Sequence, residues 1–247
     1  IYRRHLRIGG RGPISAVISG IDIALWDIKG KVLGVPIYQL LGGPVRDQVP
    51  IYTHVQDARQ GFTIDEMVTM ARETKVSGHQ AIKTDPFLSM ANESGPFRGA
   101  SLVEKLTPAA INYAAEWVSA LLSEVGDDFE IMVDAHARFD VASAIAAARE
   151  LESMRLTWFE EPVPQESYDA LKEFRENSNV AISVGESLFT RYDFVPVLQD
   201  RLADFIMPDI AWTGGISELR RIASLAESYY VPFTPPVSYT HLTLPTI

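Results

Sequence analysis

From about residue 50 onward the chain repeats one pattern: a short apolar run, a turn, an amphipathic stretch, and then the same again. Runs at 49–55, 79–84, 130–135, 156–161, 180–186, 203–209 and 230–234 read as strands. Stretches such as 64–75, 108–125, 141–154, 167–178 and 216–229 place their apolar residues at helical spacing. Seven strands alternating with six helices mean a parallel sheet, because each crossover returns the chain to the same end of the next strand. An open doubly wound sheet would bind ligands where the strand order reverses. A closed barrel instead gathers consecutive strand ends around one site. Acidic residues end strands three to six, namely Asp134, Glu160, Glu186 and Asp209. That favours an incomplete (β/α)8-type barrel with about seven of its strands present.

The first three of these acids are spaced by 26 residues each. One strand, one helix and two loops fill that interval, so the carboxylates should project toward one point. Alone, each would read as a solvated loop charge or a helix N-cap. Together they repel unless something positive lies between them, and a hard divalent cation held by oxygen ligands, Mg²⁺, is the simplest answer.

Residues 1–45 read differently. ISAVISGIDIALWDIKGKVLG is helical with a glycine at its end, and PIYQLLGG is a second short helix stopped by Gly42 and Gly43. These are expected to be the last helices of an α+β capping domain, followed by the barrel domain over 46–235. The connection from Asp85 to Leu106 is rich in Pro, Gly and Ser, as a loop covering a site would be. The glycines and arginine at 9–12 have no strand in front of them, which argues against a phosphate loop.

Composition narrows the partners. The net charge of −10 disfavours any general attraction to nucleic acid or an anionic membrane. The absence of cysteine excludes disulfides, thiolate metal sites and a cysteine nucleophile. No apolar run is long enough to span a bilayer and the first residues lack secretory character, so the cytoplasm is the expected compartment. The chain starts at Ile1 rather than Met, so native residues are expected upstream. At the other end, residues 237–246 resemble the in-frame translation of a sequencing adapter. Residues 236–247 are therefore expected to be a non-native tail, with the native residue at position 236 hidden.

VDAHARF, WFEEPVP, SVGESLFTR and MPDIAWTGGISE, in that order and spacing, resemble the strand-end motifs of the enolase superfamily, mandelate racemase subgroup. Within it they are most similar to acid-sugar dehydratases of the galactonate dehydratase type. The resemblance implies that Asp134, Glu160 and Glu186 bind one Mg²⁺, with Glu161 turned to the opposite face of its strand. It implies that His136, two residues past Asp134, protonates the leaving hydroxide. Asp209 would support a histidine base expected at position 236, now Pro236; His241 lies in the suspect tail and receives no role.

Lys83 stands where related enzymes carry a lysine that acts as a base or neutralises the substrate carboxylate. Many racemases have a Lys-x-Lys pair there, whereas this chain reads Lys83, Thr84, Asp85. That argues against a lysine-based racemase and leaves Lys83 an electrostatic role or that of an ordinary rim lysine. Arg138 is either a ligand for substrate oxygens or half of an ion pair. Thr53 and His54, at the end of the first strand, either touch substrate or pack at the barrel rim, while Trp26, Trp117 and Trp158 read as core. The implied reaction is Mg²⁺-dependent dehydration of a sugar acid to a 2-keto-3-deoxy acid through an enediolate. The same metal site would also serve a racemase, epimerase or cycloisomerase, and a chain lacking its base would be an inert metal-binding fragment. The full-length protein is expected to be a homo-oligomer acting on a small molecule.

Overall fold

A computed structural model of the chain describes residues 11–55, 63–87 and 105–236. Most of the 85–106 connection, part of the 9–12 segment and the tail from 237, His241 included, lie outside the described residues. The chain divides into two compact units, Pro50–Ser183 and Ile1–Val49 with Val184–Ile247. Among the described residues no helix is long and apolar enough to cross a membrane.

In Pro50–Ser183 the order is β1 (Thr53–His54), α3 (Ile64–Val76), β2 (Ala81–Thr84), α4 (Pro108–Val125), β3 (Glu130–Asp134), α5 (Val141–Leu151), β4 (Trp158–Glu160) and α6 (Tyr168–Asn177), then the first residues of β5 (Ile182–Val184). Neighbouring strands pair in parallel in chain order, which is what the repeated strand–helix pattern demands. The register sets Asp134 directly opposite Glu160, so the 26-residue interval is one β/α repeat. Helix starts are written locally. Thr63 and Glu66 form a capping box, and Thr107, Asp140 and Ser167 each accept the N–H of the residue three further on. The buried faces of α3 and α4 close over the sheet through Met67, Ala71, Trp117, Leu121, Ile82 and Ile131. Trp117 is core, as its pattern predicts.

The other unit contains α1 (Pro13–Leu33), α2 (Ile37–Leu40), α7 (Arg191–Gln199), β6 (Phe205–Ile206) and α8 (Gly215–Ser228). Both N-terminal helices form where their glycines place their ends, with Gly34 left-handed at φ 66°. Val184 accepts the N–H of Met207, and β6 continues to Phe233 through one parallel bridge. The seventh apolar run thus contributes a bridge rather than a strand. Pro232 lies within it and Pro235 follows it, and neither can donate a ladder hydrogen bond. Helix α7 contains Pro196, which obscures it in the sequence. Helix α8 begins at Gly214 with no side-chain cap of its own, and α1 supplies the acceptors: Ser19 Oγ takes the Gly214 N–H and Asp22 Oδ2 the Ser217 N–H, both at 2.9 Å.

Candidate active site

The C-terminal ends of β2, β3 and β4 bring together Lys83, Asp134 and Glu160. All three side chains are buried, at 4%, 2% and 0% exposure. The Lys83 Nζ lies 2.8 Å from Asp134 Oδ2 and 2.5 Å from Glu160 Oε1. The remaining carboxylate oxygens also have donors: Asp134 Oδ1 accepts the His136 N–H at 2.8 Å, and Glu160 Oε2 accepts the Trp158 indole N–H at 3.0 Å. Trp158 is therefore a buried ligand of the site's carboxylate as well as a core residue.

Charge sets the protonation states. Burial penalises the Asp134 carboxylate, but Lys83 and then His136 outweigh it and hold its pKa below the ordinary value. Burial likewise opposes the Lys83 ammonium, and Asp134 and Glu160 reverse that and hold it firmly charged. His54 is exposed at the strand end, yet partial desolvation of its ring and then the Lys83 charge lower its pKa from 6.5 to about 4, so its imidazole is neutral near pH 7. Its ring stacks on Tyr52, which packs edge-on against Trp158.

His136 does not continue the strand. It adopts φ 50° and Ala137 φ 54°, so the extended geometry expected beyond Asp134 ends there. The Asp134 carboxylate caps this turn through the His136 N–H and still keeps the ring beside it, with Nδ1 3.3 Å from Asp134 Oδ1. A second carboxylate lies closer, Asp85 Oδ2 at 2.7 Å from Nδ1. Burial lowers the His136 pKa, but the hydrogen bond to Asp85 and the charges of Asp134 and Asp85 prevail over it and over Arg138, raising it to about 9. Arg138 is mostly buried and its Nη2 donates to both Asp85 oxygens, at 2.7 and 2.6 Å. Of the two alternatives for Arg138, an ion pair is formed, and it is internal rather than at the surface.

Glu160 is followed by Glu161, fully buried at φ 43°, whose backbone bonds Ser183 and Ala137. In the other unit, Glu186 is half-buried after Gly185, and Asp209 is buried. The Asp209 Oδ1 accepts the Ala211 N–H at 2.7 Å, and its carbonyl accepts from Trp212 and Thr213. Trp26 is half-buried there and donates to Ser217 Oγ. An apolar cavity of about 620 Å³ between α1, α2 and α8 in the same unit, lined by Gly34, Val35, Tyr38, Leu219 and Phe233, includes none of the site residues.

Among the described residues no group of three or more His, Cys, Asp or Glu side chains stands ready to hold a metal. In Pro50–Ser183 the Lys83 ammonium itself lies between the two carboxylates. The oxygen atoms still suit a hard cation: Asp134 and Glu160 are buried carboxylates directly opposite each other on adjacent strands. Glu186, the third residue expected to hold the metal, lies in the other unit.

Sequence reading missed Asp85, Trp158 as a donor, and Tyr52. The signal for Asp85 was its place two residues past Lys83, directly after β2.

Residues 48–244 match the family model for the enolase C-terminal domain-like fold, and residues 3–42 match the mandelate racemase/muconate lactonizing enzyme N-terminal domain. A D-xylonate dehydratase of Haloferax volcanii is 35% identical over 92% of this chain and 55% of its own length. A D-galactonate dehydratase of Pectobacterium atrosepticum is 37% identical over 95% of this chain and 57% of its own. The crystal structure of the 3,6-anhydro-D-galactonate cycloisomerase from Zobellia galactanivorans superposes with a TM-score of 0.78 at 32% identity, over 95% of this chain and 59% of that one. This chain thus spans little more than half the length of these relatives. It belongs to the mandelate racemase/muconate lactonizing enzyme family of the enolase superfamily.

Proposed function

We propose that the chain carries the acid and metal-binding side of a dehydratase that takes a sugar acid to a 2-keto-3-deoxy acid. The observation that carries this reading is the buried Lys83–Asp134–Glu160 cluster with a charged His136 beside it. Mg²⁺ held by Asp134, Glu160 and Glu186 would offset the charge that accumulates on the substrate carboxylate as its C2 proton leaves. Lys83 adds a permanent positive charge at the same place. His136, hydrogen-bonded through Nδ1 to Asp85, is placed to give a proton to the departing C3 hydroxyl. His54, neutral at that pH, lies at the end of β1 and would meet substrate hydroxyls as a hydrogen-bonding partner. The base on this reading is a histidine supported by Asp209, following the Pro-Phe-Thr-Pro run, where this sequence has Pro236. Proline there holds no proton, so the chain as it stands should bind the metal and fail to turn over.

The xylonate and galactonate dehydratases among the relatives support loss of water. The cycloisomerase supports a second reading, ring closure or opening from the same site. The test is a Pro236→His variant incubated with a panel of aldonates and Mg²⁺. Dehydration predicts Mg²⁺-dependent 2-keto acid, abolished by Asp134→Asn. A rearranged product of unchanged mass would favour cycloisomerisation, and C2 exchange in D₂O without keto acid would favour a racemase or epimerase. Mn²⁺ binding by calorimetry in the unmodified chain, lost in Asp134→Asn, checks the metal assignment independently of turnover.

A further inference from the structure

The chain places an aspartate where a Lys-x-Lys racemase would place its second lysine, and that aspartate is built into the site. Asp85 directly follows β2, 4% exposed. Its Oδ1 accepts the Phe87 N–H at 3.0 Å, which closes the Asp-Pro-Phe turn and fixes the carboxylate. Phe87 is itself anchored, packing edge-on against Phe139 with ring centroids 4.8 Å apart. The other oxygen faces the His136 Nδ1 at 2.7 Å, and Arg138 bonds both oxygens from the third side. His136 is thus pinned twice: its backbone by Asp134, its ring by Asp85.

We propose that Asp85 is the positioning residue of the general acid, holding His136 with its Nδ1–H toward β2 so that Nε2 is the atom that serves substrate. Arg138 donates to both Asp85 oxygens, so the carboxylate is the acceptor and Nδ1–H the donor of the 2.7 Å contact. The ring can then give up only its Nε2 proton. When the C3–O bond of the substrate breaks, the Nε2–H bond breaks with it, the leaving hydroxide becomes water, and a neutral ring remains with its Nδ1–H still on Asp85. A proton from solvent restores Nε2–H. Arg138 supports this by neutralising Asp85 and orienting its carboxylate. The chemical part of this assignment rests on the dehydratase reading; the ring orientation does not.

The test reads the ring directly. In ¹⁵N-labelled protein, histidine ¹H–¹⁵N spectra should show a low-field, exchange-protected Nδ1–H for His136, assigned by its loss in His136→Gln. Asp85→Ala should abolish it while the His54 and His79 signals stay in place. Asp85→Asn keeps an acceptor and guards against a misfolded alanine variant; there the signal should persist but move upfield, because a neutral oxygen is the weaker acceptor. An unchanged signal in either variant overturns the proposal. In a turnover-competent Pro236→His background, Asp85→Ala should lower kcat about 10²-fold, the scale of a lost general acid, with KM changed less than threefold. A parallel rise in KM with kcat intact would instead make Asp85 a substrate-binding residue and overturn it. If no sugar acid is turned over, the spectra still decide the orientation, and only the dehydratase reading fails.

Discussion

Removing the Lys83 ammonium would leave Asp134 and Glu160 opposite each other on adjacent strands, buried, with no counter-charge between them. Breaking a buried ion pair from one side costs far more than the pair's net worth, because the remaining charge keeps its desolvation penalty. Lys83→Met should therefore lose about 3 kcal/mol of stability, read from urea unfolding, and Mg²⁺ should restore part of it. A loss under about 1 kcal/mol would mean that water already reaches the carboxylates. His54 makes a separate prediction. Its folded pKa of about 4 lies below the ordinary 6.5, so between those values the unfolded chain binds a proton that the folded one does not. The His54 contribution is present above pH 6.5 and is lost as the pH falls toward 4. The stability gap between the wild type and His54→Gln should shift against the wild type over that window, and a pH-independent gap would refute the assignment. Asp134 and Glu160 were legible in the sequence because each ends an apolar run and they lie one 26-residue repeat apart, and Lys83 was legible through the family resemblance of its place near the end of the second strand. Tyr52 was not, and Asp85 was marked only by its position two residues past Lys83, because the roles of both depend on cross-strand distances that no spacing encodes.

Elements were legible where period and punctuation agreed. The capped helices α3 to α6 begin at the Thr, Asp or Ser that the sequence offers, and α1 ends at its glycine. Helix α8 shows what local reading lacks, since its missing cap is supplied by Ser19 and Asp22, nearly two hundred positions away in the chain. Asp22→Ala should thus cost about 1 kcal/mol although Asp22 is mid-helix in α1, and thermal unfolding would show it. Gly185, between β5 and Glu186, is the sharper case. At φ 140°, a Cβ there would lie 2.9 Å from the Phe194 ring and 3.0 Å from the Met207 nitrogen, so strain and overlap act together. Gly185→Ala should cost about 2 kcal/mol or more and displace the adjacent carboxylate of Glu186. Mn²⁺ affinity should fall with stability in this variant; unchanged affinity would separate Glu186 from the metal.

For the whole molecule, alternation alone determined a parallel α/β fold, and the solved cycloisomerase structure agrees over nearly the entire chain. What alternation could not reveal is which surfaces are left uncovered. Helix α1 buries a face of small residues, Ser15, Ser19 and Gly30, and exposes Val17, Ile21, Leu25, Ile28 and Val32 at three- and four-residue spacing. Leu25 and Val32 stand 60% and 78% exposed. A continuous apolar stripe of this kind is costly to leave in water and drives association. Its residues look like core positions in the sequence, because hydrophobic period reports that a face wants burial and not whether this chain buries it. The isolated chain should self-associate with increasing concentration in sedimentation velocity. Leu25→Lys combined with Ile28→Lys should suppress that while leaving the unfolding free energy within about 0.5 kcal/mol, since neither side chain packs in the core. Association that persists in the double variant would place the sticky surface elsewhere, and loss of stability would show that the stripe is already covered.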